Sequence, residues 1–402
     1  MKYVTILFDG MADLPDENGQ TPMSLARKPI TDRLAAKAEV GLCATVPEGF
    51  KPGSDVANLS VMGYDPRNCY TGRSPLEALS IGIPLDEHSV TYRCNLVTLS
   101  AEGDYADKTM VDYSAGEITT NEARTLIEYL DGKLSTPSLR FYAGVSYRHC
   151  LKRQSGDTGA ILTPPHDISD RKIGEWLPHG AYADELNALM RKSYELLKDH
   201  PVNRTRIAQG KNPANSIWLW GEGTKPKLAD FTAFTGLRGA VISAVDLIKG
   251  IAIGAGMDSI DVAGATGTLS TDFAGKAQAA IRALKTHDYV YVHLEAPDEC
   301  GHQGDKAGKI RAIECIDAQI VKPVVDALEK SGEDFKVLIL PDHPTPYTLK
   351  THTRAPVPYL LYHAGQPKEG VASLTEESAK STGNFVEYGF LLLQKMCQNA
   401  AR

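Results

Sequence analysis

Apolar positions along this chain gather into short unbroken runs that end on carboxylates. Residues 3–8, YVTILF, run into Asp9-Gly10. The run from His287 to Leu294 leads into EAPDECGH, and Val337 to Leu340 stops at Pro341 with Asp342 and His343 next. Apolar runs of this length, bounded by turn residues, read as strands buried on both faces of a mainly parallel sheet. Pro341 lacks the N–H a ladder needs, so the third strand ends there. Helical periodicity predicts helices over Thr31 to about Ala38, Asp55 to Met62, Leu76 to Ile81, Gly239 to Lys249, Lys309 to Lys330 and Asn384 to Cys397. A kink is expected at Pro323. Gly41 to Val46 reads as a further strand.

From about Glu87 the pattern changes. Val90 to Leu99 is strand-like, and Thr119 with Glu122 forms a capping-box pattern at a helix start. Strands follow at Leu139–Val145 and Tyr147–Leu151, then a Pro/Asp-rich loop and an amphipathic helix over about Ala181 to Lys198. This block reads as an α+β domain inserted into an α/β one. The expected boundaries are 1–86 for the first part of the main domain, 87–212 for the insertion and 213–402 for the second part. Ser216 to Trp220 reads as a strand returning to the main domain.

A chain of 402 residues is long for one core, which agrees with two domains. The net charge of -7 argues against a nucleic-acid surface. No apolar run reaches membrane-spanning length, and no signal peptide is expected from Met1-Lys2-Tyr3. Seven cysteines without a CxxC pair point to reduced thiols and a cytoplasmic location. GIAIGAG and GATGT miss the GxGxxG pattern and read as turns.

The candidate chemistry lies where strands end. Asp9, Asp298 with His302, Asp342 with His343, and His352 all fall on or just after predicted strand ends, where ligands of open α/β sheets gather. Asp298 and His302, four apart, share one face of a helical turn. Three carboxylates and three imidazoles suffice for two metal sites, and a mixed oxygen and nitrogen set suits Mn²⁺ or Zn²⁺ better than Mg²⁺. Ser54 reads either as a helix cap or as a nucleophile whose phosphoryl group the helix N-terminus favours. Arg73 reads either as a phosphate clamp or as a solvated charge. Arg148, His149, Arg204, Arg206 and Lys211 are basic positions near element ends in the inserted block, where as a set they would form an anion pocket.

These residues sit within FDGMAD (8–13), GSDVANLSVMGYDP (53–66), TGRSPLEA (71–78), SYRHCL (146–151), NPANSIWLWGEG (212–223), GAVISAVDLIKGIA (239–252), EAPDECGHQGD (295–305), PDHPTP (341–346) and THTRAPVP (351–358). With these motifs the whole chain resembles the archaeal-type cofactor-independent phosphoglycerate mutases of the alkaline phosphatase superfamily. The resemblance implies an alkaline-phosphatase-like, mostly parallel sheet with helices on both faces and a smaller inserted cap. It implies a small phosphorylated substrate, two divalent metal ions and no 2,3-bisphosphoglycerate. Ser54 would carry the phosphoryl group. Asp9, Ser54, Asp342 and His343 would surround one ion, and Asp298, His302 and His352 the other. Arg148 and His149, with Arg204, Arg206 and Arg73, would hold substrate. Part of the same family is proposed to act as homoserine kinase, and a phosphatase is the other alternative. Sequence does not disclose the oligomeric state.

Overall fold

The chain opens with strand β1 (Lys2–Phe8) and then β2 (Ala38–Cys43). Seven strands follow: β3 (Val90–Leu99), β4 (Met110–Asp112), β5 (Leu139–Val145), β6 (Arg148–Arg153), β7 (Ala160–Ile161), β8 (His179–Gly180) and β9 (Ser216–Thr224). The remainder adds β10 (Gly239–Ile242), β11 (Asp258–Ile260), β12 (Tyr289–Leu294), β13 (Phe335–Leu340), β14 (Val357–His363) and β15 (Phe385–Val386). The computed structural model describes residues 1–397. It divides into two units: Met1–Tyr70 together with the chain from Lys227 onward, and Thr71–Pro226.

The first unit is built on one eight-stranded sheet in the order β11-β10-β12-β1-β13-β14-β2-β15. Only β14 runs antiparallel to its neighbours. The three central strands β12, β1 and β13 are almost wholly buried, including Val4, Ile6, Val292 and Leu338 at 0% exposure. Each such aliphatic side chain contributes roughly 1.5–3 kcal/mol on burial, which fixes the register of the strands that deliver the candidate site. The α/β class expected from the apolar runs is the one observed.

The second unit is a smaller α+β body. Its sheet runs β4-β3-β6-β5, with β9 on the other edge of β3. The helices Thr120–Leu134 and Ala183–Leu197 supply Leu126, Ile127, Leu130, Leu186 and Met190 to its core. The predicted capping box is present: the Thr119 side chain accepts from the Glu122 N–H, and Glu122 reaches back to the N–H of Thr119.

Several elements differ from the sequence reading. Ser216–Trp220 does not return to the first unit, because β9 pairs antiparallel with β3 along Val90–Val97. Thr71–Ser80 also falls in the second unit, where the helix Ser74–Ser80 packs Ala78 against Cys150. Gly239 begins a strand, β10, and the helix starts only at Asp246. A short apolar run without charges carries no period that separates strand from helix, and here its two sheet partners decide. β2 lies three residues before the predicted Gly41–Val46 strand. The last helix is Phe390–Cys397, shorter than expected, because Phe385–Val386 pairs with β2. In the long helical run, Lys306–Ile316 and Lys322–Ser331 are joined by a π-helical turn at Asp317–Val321, just before Pro323. The proline cannot supply an N–H to the ladder, and the widened turn absorbs the gap. No helix among the described residues is long and apolar enough to cross a membrane.

Candidate metal centre

β12, β1 and β13 are neighbours and run parallel, so their carboxyl ends open on one edge of the sheet. Asp9 follows β1 directly and Asp342 follows β13 after Pro341. Beyond β12, Glu295 leads into the helix Ala296–Gln303, whose first turn carries Asp298 and whose last carries His302. Gly10 makes this convergence possible. Its φ is +64°, and a Cβ there would come within 2.6 Å of both Asp298 Oδ1 and Thr345 Oγ1, so a side chain would force the β1 loop away from Asp298.

Two groups of ligand atoms lie within 4.8 Å of one another: Asp9, Asp342 and His343 in one, and Asp298, His343 and His352 in the other. His343 stands between them, with Nε2 3.8 Å from Asp9 Oδ1 and 3.3 Å from Asp342 Oδ2. Its ring centroid is 3.9 Å from that of His352. His302 lies beside the second group: its Nε2 is 2.8 Å from His352 Nε2 and 3.3 Å from Asp298 Oδ2. His343 thus falls in both groups, whereas the sequence reading placed it in the first alone.

Ser54 is not a cap. Gly53 is the N-cap of the helix Ser54–Val61, and Ser54 is its first helical residue. Freed from capping, its Oγ lies 3.1 Å from His343 Nε2. Asn58, one turn later, ties this helix to the sheet. Its Nδ2 donates to both the Ser54 carbonyl and Asp342 Oδ2 at 2.9 Å, while its Oδ1 accepts from the Tyr291 hydroxyl.

The electrostatics call for added positive charge. Burial, then the facing carboxylates of Asp342, Asp298 and Glu295, push Asp9 well above the usual carboxylate range. Its Oδ1 is buried and without a hydrogen-bond partner. Asp298 goes the other way: burial disfavours its charge, but hydrogen bonds with His302 and His352 outweigh that and hold it well below the usual range. His302 is correspondingly raised to about 9 by its bond to Asp298. Buried carboxylates crowded around an orphaned oxygen and clustered imidazoles fit divalent cations, which remove the mutual repulsion.

The basic positions of the second unit separate into different environments. Arg148 is exposed at the start of β6, whereas His149 is buried. Neighbours in a strand point to opposite faces, and His149 pairs with Cys94 of the core packed by the two long helices. Its Nδ1 accepts from the Gly144 N–H, and burial lowers the ring to about 3. His149 and Arg148 thus do not share one pocket. Arg206 is buried and fully engaged, with Nε on the Asn212 carbonyl, Nη2 on the Ala115 carbonyl and Nη1 on Glu122. Arg204, two residues away on the helix Pro201–Ala208, is exposed. These two point apart and form no set.

Arg73 instead belongs with a residue the sequence did not single out. Glu77 receives Arg73 Nε on one oxygen and Arg93 Nε on the other, each at 2.8 Å. Arg93 is 8% exposed and its guanidinium lies 4.0 Å over the Trp220 ring. Opposite Asn95, its neighbour on the same face of β3, stands Arg148. No signal short of the strand register would have brought Arg73, Arg93 and Arg148 together.

The profile of the 2,3-bisphosphoglycerate-independent phosphoglycerate mutase family matches residues 35–203. A Geobacter sulfurreducens protein described as a probable member is 52% identical over 400 residues, 98% of this chain and 99% of that one. The chain belongs to the 2,3-bisphosphoglycerate-independent phosphoglycerate mutase family. A mutase of Methanosarcina mazei is 49% identical over 387 residues, 95% of this chain and 96% of that one. Among solved structures, a Pyrococcus horikoshii protein matches with a TM-score of 0.82 at 27% identity, over 100% of this chain and 98% of that one. The cofactor-independent phosphoglycerate mutase of Thermoplasma acidophilum matches with a TM-score of 0.67 at 24% identity over the whole of both chains, a likeness of fold.

Two supporting residues in this mutase chain escaped the sequence reading. His293 Nε2 is 2.8 Å from Asp9 Oδ2, and its Nδ1 is 3.2 Å from Ser243 Oγ. Burial lowers the ring to about 3, and the hydrogen bond between this imidazole and Asp9 orients the carboxyl group. Thr345 donates its hydroxyl to Asp298 Oδ1 at 2.5 Å. Both were hidden in the sequence, His293 as one more residue of an apolar strand and Thr345 between two prolines.

Proposed function

We propose that this protein interconverts 3-phosphoglycerate and 2-phosphoglycerate through a phosphoserine at Ser54. The observation that carries the reading is the Ser54 hydroxyl, uncapped at a helix N-terminus and 3.1 Å from His343 Nε2, the imidazole shared by both ligand groups. Asp9, Ser54, Asp342 and His343 would hold one divalent ion, and Asp298, His302 and His352 the other, with His343 in reach of both groups. Bound there, Mn²⁺ or Zn²⁺ supplies Lewis acidity to phosphoryl oxygens and offsets the carboxylate charge.

Ser54 Oγ attacks the phosphorus of 3-phosphoglycerate, forming Oγ–P as the P–O3 bond breaks. O3 leaves as a hydroxyl, taking up a proton equivalent to the one Ser54 gives up. The enclosed glycerate turns, its 2-hydroxyl oxygen attacks the same phosphorus, Oγ–P breaks, and the serine recovers its proton. Nothing is gained or lost, so no 2,3-bisphosphoglycerate is needed. His293 and Asn58 hold Asp9 and Asp342 in place, and the positive end of the helix Ser54–Val61 favours the phosphoryl charge.

Within the second unit Arg93 suits a carboxylate ligand: Glu77 and Trp220 fix the plane of its guanidinium. A guanidinium fork held in this way matches a carboxylate bidentately. Arg148, on the same face, is the second candidate.

The test is purified protein with 3-phosphoglycerate, coupled to enolase, with and without chelator, beside an ATP-plus-homoserine assay and a free-phosphate assay. Turnover restored by Mn²⁺ or Zn²⁺ without 2,3-bisphosphoglycerate is expected. Phosphorylation of homoserine, or phosphate release faster than isomerisation, would replace this reading with a kinase or a phosphatase.

A further inference from the structure

Lys309 lies in the helix Lys306–Ile316, outside every candidate ligand group, yet its side chain is wholly buried against Asp13, also wholly buried. Its ammonium has three donors and three partners: Asp13 Oδ2 at 2.6 Å, the Ala12 carbonyl at 3.2 Å and the Thr345 carbonyl at 2.8 Å. The first two belong to the loop after β1 that begins with Asp9. The third belongs to the loop after β13 that begins with Asp342 and His343.

The two loops are also stitched directly, by the Thr345 N–H on the Ala12 carbonyl and by bridges of Met11 and Ala12 to Pro344. Asp13 Oδ2 accepts from the Tyr347 N–H as well. Thr345 is the pivot. Its carbonyl faces Lys309, while its hydroxyl holds Asp298 Oδ1 and lies 3.2 Å from His343 Nδ1. The helix of Asp298 presses on the same carbonyl, since a Cβ on Gly301 would stand 2.4 Å from it.

We infer that Lys309 is a positioning residue: one buried ammonium clips together the loops after β1 and β13, and through Thr345 the helix of Asp298, and so sets the spacing of both candidate ligand groups. The inference rests on the metal-dependent reading above. A buried ion pair is a poor source of stability, because desolvation consumes most of its attraction, and well-packed apolar side chains often serve as well. What an apolar pair cannot do is hold two carbonyls and a carboxylate at fixed angles around one point. Moving Thr345 moves the hydroxyl that orients Asp298, and support of this kind is worth about 10–100-fold in metal affinity or activity.

Lys309→Met leaves Asp13 charged and uncompensated, so folding and positioning would fail together. The deciding variant is therefore Lys309→Met/Asp13→Asn, which removes both charges. Its melting midpoint, its Mn²⁺ affinity by titration calorimetry and its kcat and KM for 3-phosphoglycerate are compared with the unmodified protein. We expect a midpoint close to the parent's, Mn²⁺ affinity and kcat each lower by about 10–100-fold, and KM changed less than about threefold, since kcat and KM report different losses. Lys309→Gln/Asp13→Asn, which also removes both charges but keeps two amide donors for the carbonyls, should fall between, and it carries the test if the Met variant does not fold. A folded variant with parental Mn²⁺ affinity and parental kcat overturns the inference. If the unmodified protein binds no Mn²⁺, the metal reading fails first and takes this one with it.

Discussion

The two units hold their charged residues by different rules. In the first, Asp9, Asp298, Asp342 and His343 each lie within a turn of the end of a buried strand, and parallel neighbours bring those ends to one edge. In the second, the basic residues lie along strands and helices whose faces alternate. There Arg148 and His149 diverge, Arg204 and Arg206 diverge, and the convergent group is Arg73, Arg93 and Arg148 around Glu77. Chain direction organises the first group of charged residues and side-chain parity the second. A site built from strand ends depends on sheet order, whereas a site on a strand face depends on register, where a shift of one residue inverts every side chain.

The largest effect should come from the one residue that joins the ligand groups to the chemistry. Ser54→Ala removes the proposed acceptor while leaving the carboxylates and imidazoles in place, so turnover should fall by at least about 10³-fold. Bound metal should stay near parental stoichiometry, because the other ligands remain. Enolase-coupled kinetics and metal analysis check both. Retained turnover would reduce Ser54 to a bystander at the helix start.

How far the sequence could be read follows from the same contrast. Asp9, Asp298, Asp342 and His343 were legible because a buried strand announces its own end and the next polar residues inherit that address. His302 was legible from its spacing to Asp298 on a helical turn. His293 was not, since inside YVYVHL it reads as one more buried residue until the β1 register sets it beside Asp9. Arg93 was not, since in TYRCNLV only the pairing with β9 places Trp220 under its guanidinium. β10 was misread as helix for a related reason: four small and aliphatic residues have no period of their own.

The arginine cluster gives the next largest effect. Arg93→Met keeps much of the stem's packing on Trp220 but deletes the fork, and should cost about 30- to 10³-fold in kcat/KM for 3-phosphoglycerate, the loss expected for a buried charge-assisted contact of about 2–4 kcal/mol. Arg148→Ala, at an exposed position, should cost less. Metal content should not change in either, which separates the two units functionally. An Arg93→Met protein with parental kcat/KM would remove Arg93 from the proposed substrate contacts.

Arg206 and Arg204 are the sharpest control, because they are two residues apart and were expected to act together. Arg206 has one carboxylate and two carbonyl partners and almost no exposure. Arg206→Met strands the buried Ala115 carbonyl and should destabilise the protein by about 1–3 kcal/mol. Its kcat/KM per folded molecule should be unchanged. Arg204, on the exposed face of the same helix, should tolerate Ala within about 0.5 kcal/mol. Chemical denaturation measures the stabilities, and active-site-normalised kinetics the turnover. If Arg204→Ala instead weakened substrate use while Arg206→Met did not destabilise, the division between structural and exposed arginines drawn from this helix would be reversed. The anion pocket would then have to be sought on the helical side of the second unit.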